Sequence, residues 1–409
     1  MSDFEVLVKR AHLRGRGESA FDLGIALGRI QAIEPSLAGK SDTIVEADGN
    51  LVTESFINPH LHLDKVFTLA MLDDQAMQDY HGDSMGKAMT AIERAAKVKE
   101  NYDRGWIIDN VRRALRWAAK NGNSHLRAFA DVDRKSKLEG VAALLQAREE
   151  FRGIVELQIV AFPQDGVIRE PGTADLIREA MAMGADLVGG IPWIEYTEAD
   201  ARRHIDQMVE IAVEHDAGIS MLVDDAGDPG LRTLEMLALK TIEVGWQGKV
   251  LAHHARAMAL YPKPYFQKLA ALLRQSEIGV VSDPHTGPLH ARVRELREEG
   301  VRVCLGQDDI TDAYYPYGQN NMLEVAFLAS HLLWMTGRED METLYDMVTV
   351  EAARAMGIHD HRLEVGAPAN LVVLEGSNVL EALRFHRAPQ VVIRNGRLID
   401  DPADRGELH

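Results

Sequence analysis

Two histidines one residue apart, His60 and His62, are the first residues in this chain whose types and spacing could do chemistry. Side chains alternate along an extended chain, so both imidazoles leave the same face. Side by side they can take a divalent transition metal. Such a pair alone is weak evidence. Further along, polar residues stand at the ends of short apolar runs: Gln164, then Asp224 with Asp225, His254, Asp283 with His285, and Asp308 with Asp309. A carboxylate such as Asp308, close to two imidazoles, can bind a metal and also take a proton from water. A bound metal lowers the pKa of that water toward ~7.

These residues can meet only if the elements carrying them converge. Eight short apolar runs alternate with helical patterns: Leu51–Asn58, Ser124–Val132, Val155–Phe162, Leu187–Pro192, Gly218–Asp224, Lys249–His254, Gly279–Asp283 and Val301–Asp308. Intervening helices are expected over Ala142–Arg152, Ala174–Met183, Ala199–Glu214, Leu231–Val244 and Ala291–Glu299. That rhythm is the signature of βα units around a parallel sheet. The 248 positions from His60 to Asp308 match the ~250 residues of a complete (β/α)8 barrel, in which chemistry sits at the carboxyl ends of the strands. The two ends of the chain read differently. Alternating runs at Phe4–Val8, Leu23–Leu27, Arg29–Ile33 and Thr43–Glu46, and again at Asn370–Leu374, Gln390–Arg394 and Arg397–Ile399, predict the strands of a small sheet. The expected organisation is a β-sandwich built from 1–56 and 362–409, flanking a catalytic barrel over 57–361.

Composition removes whole classes of function. A net charge of −18 argues against nucleic acid or an anionic membrane surface as partner, since both need basic patches. No run reaches the ~18 apolar residues of a membrane span. The start, MSDFEVLVKR, has no basic stretch leading into an apolar core, so a cytoplasmic protein is expected. Cys304 is the only cysteine, which excludes intrachain disulfides, cysteine-clustered zinc and the Cys-x-x-Cys type of base deaminase. His253, the strand neighbour of His254, is expected to point away from it. Lys65 reads as a solvated loop lysine.

Three longer motifs carry a resemblance. Asn58-Pro59-His60-Leu61-His62-Leu63-Asp64-Lys65 resembles the first metal motif of the cytosine deaminases and N-isopropylammelide aminohydrolases, within the amidohydrolase superfamily. Ala161-Phe162-Pro163-Gln164-Asp165-Gly166 is similar to the cytosine deaminase segment whose glutamine meets the pyrimidine edge. Gly306-Gln307-Asp308-Asp309, followed by Tyr315-Pro316-Tyr317-Gly318, is similar to the strand-eight motif. The resemblance spans about residues 50 to 325. It implies an amidohydrolase-type TIM barrel and a hydrolase that attacks an sp2 carbon of a nitrogen heterocycle or cyclic amide with activated water. By the same resemblance His60, His62 and Asp308 are metal ligands for one divalent ion, zinc or iron. Asp308, His254 and Asp225 are catalytic, and Gln164, Trp193, Tyr314 and His285 contact a small heterocyclic substrate.

The departures are as informative. Leu222 falls where the family places a strand-five metal histidine, and leucine cannot bind a metal. Asp225 stands in for a glutamate, Trp193 and Phe129 replace histidines, and the strand-seven loop is short, over Asp283–Arg292. Three readings of Leu222 stand open: a metal held by fewer protein ligands, with His254 or His285 moving in; a metal-free hydrolase using Asp308, Asp225 and His254 alone; and a barrel that binds a ligand without catalysis. The ring, the leaving group and any homo-oligomer stay open too.

Overall fold

The computed structural model describes residues 2–72, 92–93 and 96–399. Its strands, in chain order, begin with β1 (Phe4–Leu13), β2 (Ala20–Ala26), β3 (Arg29–Glu34), β4 (Ser41–Glu46) and β5 (Leu51–Glu54). Then follow β6 (Phe56–His62), β7 (Asn123–Asp131), β8 (Glu156–Phe162), β9 (Leu187–Gly190), β10 (Gly218–Val223), β11 (Val250–His254), β12 (Gly279–Ser282) and β13 (Val303–Leu305). The last three are β14 (Leu371–Leu374), β15 (Val391–Arg394) and β16 (Arg397–Leu398).

Strands β6 to β13 pair in sequence order, all parallel, as one sheet. A parallel bridge between Leu61 and Asp308 joins its first strand to the chain just past its last, closing the (β/α)8 barrel. Its strands are buried along nearly their whole length, which is why they read as continuous apolar runs rather than alternating ones. Helices at Glu139–Glu150, Thr173–Met183, Glu198–Glu214, Thr233–Val244 and Val293–Glu298 lie within a few residues of the positions read from periodicity. Strands β1 to β5 and β14 to β16 form a separate mixed sheet with its own apolar core. No helix among the described residues is long and apolar enough to cross a membrane.

One strand differs from its sequence reading. The run Leu51–Asn58 is two strands: β5 pairs with β1 and β14 in the flanking sheet, and β6 belongs to the barrel. Ser55 alone separates them. Both halves are buried along their whole length, so burial carries no mark of the change of sheet.

Two backbone details shape the barrel mouth. Asp224, His254 and Asp308, at the ends of three strands, have φ of 46°, 66° and 69°. This left-handed region is unfavourable for residues with a Cβ and is concentrated at functional sites. At Gly306, a Cβ would collide with Asp283 Oδ1 and come within 2.7 Å of His60 Cβ. Only glycine leaves room for both side chains under the mouth.

Candidate active site

At the carboxyl ends of the strands, a cavity is lined by His62, Gln164, Trp193, Asp225, His254, Asp308 and Tyr314. Among the described residues, Ile191, Leu222, Asp309 and Ile92 also line it. Seven residues singled out in the sequence therefore share one cavity, although they come from six different strand ends. His60 lies just beneath it, fully buried.

His60 Nε2 is 3.4 Å from His62 Nε2 and 3.4 Å from Asp308 Oδ1, and His62 Nε2 is 3.9 Å from the same oxygen. Ligands about 2.1 Å from a tetrahedral ion stand roughly 3.4 Å apart, so this donor set fits a divalent metal. The chemistry of the donors agrees with the spacing. Burial first, then the nearby Lys65, holds the His62 imidazole well below its ordinary pKa, which keeps it in the neutral form a metal requires. Burial alone would push Asp308 up, but His254 and His60 beside it bring its carboxyl below the usual range. Behind the donors, Asp283 Oδ2 lies 3.3 Å from Nδ1 of both His60 and His254. That placement favours a proton on each Nδ1 and leaves each Nε2 to the site.

His254 Nε2 is 3.8 Å from Asp308 Oδ1. Burial draws its pKa down, yet Asp225 and Asp308 outweigh this and raise it. His254 can therefore carry a proton next to the carboxylate that would release one. Asp225 is pinned from behind: Arg256 Nη1 donates to its Oδ1 at 2.8 Å, and Arg256 Nη2 lies 3.5 Å from Asp308 Oδ2. Thr286 Oγ1 donates to that same Asp308 oxygen at 2.8 Å. Oδ2 is thus occupied and Oδ1 is presented to the histidines.

Three expectations are corrected. His285 does not line the cavity; its Nε2 faces the Gln307 carbonyl at 3.2 Å and its ring packs edge-on against Tyr315. The turn Pro284–Thr286 at the end of β12 carries it aside. His253 does not point away from the site, since its Nδ1 lies 3.1 Å from His60 Nδ1. The left-handed φ of His254 breaks strand alternation there, so neighbouring imidazoles both reach His60. Lys65 is not solvated but buried, with Nζ donating to Asp131 Oδ1 and Gln164 Oε1, each at 3.0 Å.

Arg256 was missed outright. It is the largest fully buried side chain among the described residues, yet in sequence it is an arginine two positions past a candidate, and its bonds to Asp225 and Thr286 span 31 and 30 positions. Leu222 sits in the cavity wall, in an apolar cluster with Phe129, Phe162, Ile191 and Trp193. Leu222, Trp193 and Phe129, the departures noted in the sequence, thus gather in one cluster.

Known proteins resemble this chain in sequence and in fold. The profile of the Amidohydrolase family matches residues 43–400. The chain is 31% identical to the N-isopropylammelide isopropyl amidohydrolase of Pseudomonas sp. (strain ADP), over 97% of each chain. The 5-methylcytosine deaminase of Klebsiella pneumoniae, solved with 5-fluorocytosine, superposes with a TM-score of 0.88 at 30% identity, covering 98% of both chains. The N-isopropylammelide isopropylaminohydrolase of Burkholderia multivorans gives 0.83 at 28% identity, over 96% of this chain and 97% of that one.

Proposed function

Because the chain belongs to the amidohydrolase family, in its cytosine deaminase and N-isopropylammelide aminohydrolase branch, we propose that this cavity hydrolyses the bond between a ring carbon and an exocyclic amine of a nitrogen heterocycle. The class of activity follows from that membership: a hydrolase of carbon–nitrogen bonds other than peptide bonds, acting on small heterocycles. The observation that carries the specific reading is the meeting of His60 Nε2, His62 Nε2 and Asp308 Oδ1 at the floor of a cavity whose walls hold Gln164, Asp225 and His254.

Each residue has a part in the chemistry. Gln164 and Asp225 hold the ring by its polar edge, while Trp193 and Tyr314 pack on its surface. Asp308 takes a proton from the attacking water as its oxygen bonds to the sp2 ring carbon. His254 stabilises the charge that develops on the tetrahedral centre and returns a proton to the leaving nitrogen. The carbon–nitrogen bond then breaks, giving an oxo ring and a free amine. His60, His62 and Asp308 would hold the divalent ion typical of the family, zinc or iron. When bound, that ion supplies Lewis acidity and makes water a stronger acid.

One observation favours a second reading. Leu222 puts a methyl-bearing wall where the branch places a fourth metal donor, so Asp308, Asp225 and His254 could activate water unaided. One catalytic acid–base contributes only about 10²–10⁴ in rate, so this reading requires a good leaving group.

The test is amine release from a panel of amino- and alkylamino-substituted pyrimidines, pterins and triazines, assayed with purified protein before and after chelation. Turnover of at least one member, lost on chelation and regained with zinc or iron, is the expected result. No turnover across the panel with metal-replete protein would refute the reading.

A further inference from the structure

The primary amide of a glutamine has an accepting end and a donating end, and its neighbours decide which one a ligand meets. Gln164 Oε1 lies 3.0 Å from Lys65 Nζ. An ammonium only donates, so the oxygen of Gln164 must face Lys65. Turning the amide over would set NH2 against NH3+. No described residue accepts from Gln164 Nε2, and the side chain borders the cavity. The cavity therefore meets a donor there.

Lys65 is itself held tightly. Asp131 takes it on both carboxylate oxygens, at 3.0 and 3.1 Å, and the ammonium stands 5.6 Å from the centre of the Tyr314 ring. Burial pulls its pKa down, but Asp131, Asp64 and Asp309 outweigh this and raise it. Lys99 backs Asp131 from 3.6 Å. The ion-pair network thus ends in the two side chains, Gln164 and Tyr314, that meet the ligand. On another wall, Asp225 is bonded to Arg256 and presents an acceptor.

We infer that Lys65 is a positioning residue that fixes the polarity of Gln164, so that the cavity selects rings presenting a strong acceptor, a carbonyl oxygen, to Gln164 and a ring N–H to Asp225. The inference rests on the heterocycle reading above and goes beyond it by assigning Lys65 as the residue that sets the polarity of the Gln164 amide. A buried donor left without a strong acceptor weakens binding by about ten-fold or more. Discrimination should therefore appear between ligands that differ only at that atom.

A neutral pair tests this: tetrahydropyrimidin-2-one and tetrahydropyrimidine-2-thione share a ring and two N–H groups and differ in oxygen against weakly accepting sulfur. Dissociation constants are measured by calorimetry on the purified full chain. The wild type should bind the oxo ring at least ten-fold more tightly. In Lys65→Met the amide is released and the ratio should fall toward one. Lys65→Gln, a milder change that no longer forces a donor onto Oε1, should lower it as well, and Gln164→Met should abolish it. A purely structural role for Lys65 would weaken both ligands alike and leave the ratio unchanged, which overturns the inference. A wild-type ratio near one also overturns it while leaving the heterocycle reading intact. Binding of neither ligand to the wild type, together with failure of the amine-release panel, removes both.

Discussion

The backbone N–H of His62 donates to the carbonyl of Asp308 over 2.8 Å, and the N–H of Asp308 donates in return to the carbonyl of His60 over 2.9 Å. The seam that closes the barrel is thus made by the same three residues whose side chains form the donor set. A side-chain change at Asp308 can leave those backbone bonds in place. Asp308→Asn should lower kcat by about 10²–10⁴ with only a small shift in Tm, measured by steady-state kinetics and thermal melting. Activity within ten-fold of wild type would remove Asp308 from the chemistry.

Leu222 bears on metal affinity. On the proposed set of three protein donors, the site should release its ion to a chelator readily, and Leu222→His should raise the metal retained through purification. Elemental analysis of both proteins, prepared in parallel, gives the answer. His62→Ala should lower bound metal and activity together, and added metal should rescue the chelated wild type but not this variant. Full activity in rigorously metal-depleted wild type would establish the metal-free alternative.

Substrate size follows from the wall formed by Leu222, Ile191 and Trp193. An apolar surface of this kind gains from burying alkyl groups, at roughly 0.8 kcal/mol per methylene. Cytosine should therefore be a poor substrate, and rings bearing an alkyl or fused substituent should show higher kcat/KM. Trp193→Ala should narrow that advantage by raising KM for the bulkier ring. Efficient deamination of cytosine by the purified wild type would contradict this.

His125, remote from the cavity, makes folding sensitive to acid. Burial chiefly, with the positive charge of Arg394 beside it, pushes its pKa down to about 2. The folded chain then binds no proton here as the pH drops below the ordinary histidine value of about 6.5, while the unfolded chain does. Stability should fall through that window, on the order of 2–3 kcal/mol by pH 4 from this group. Denaturant melts of His125→Gln should show a shallower loss between pH 6.5 and 4; equal slopes would discount the effect.

What the sequence discloses here is what recurs locally. The apolar runs, their spacing and the polar residues ending them all survive as strands and strand ends, because burial and alternation act on neighbours in the chain. Lys65 and Arg256 could not be read in this way. Their partners, Asp131 and Asp225, lie 66 and 31 positions away, and an isolated basic residue looks solvated until a carboxylate arrives from another strand. His253 misled for a different reason. Alternation predicts opposite faces only while the strand stays extended, and the chain leaves that conformation at His254. His285 was carried aside by a short turn that the motif does not encode.

Ser55, the lone residue between β5 and β6, constrains how this chain can be recombined. Exchange of the flanking sheet with that of a relative would have to preserve the chain's phase to the residue. One amino acid inserted or deleted at Ser55, with β5 held in its sheet, would slide β6 by one position and turn His60 and His62 to the opposite face. The crossover would pass every test of hydropathy and still deliver a barrel without its donors.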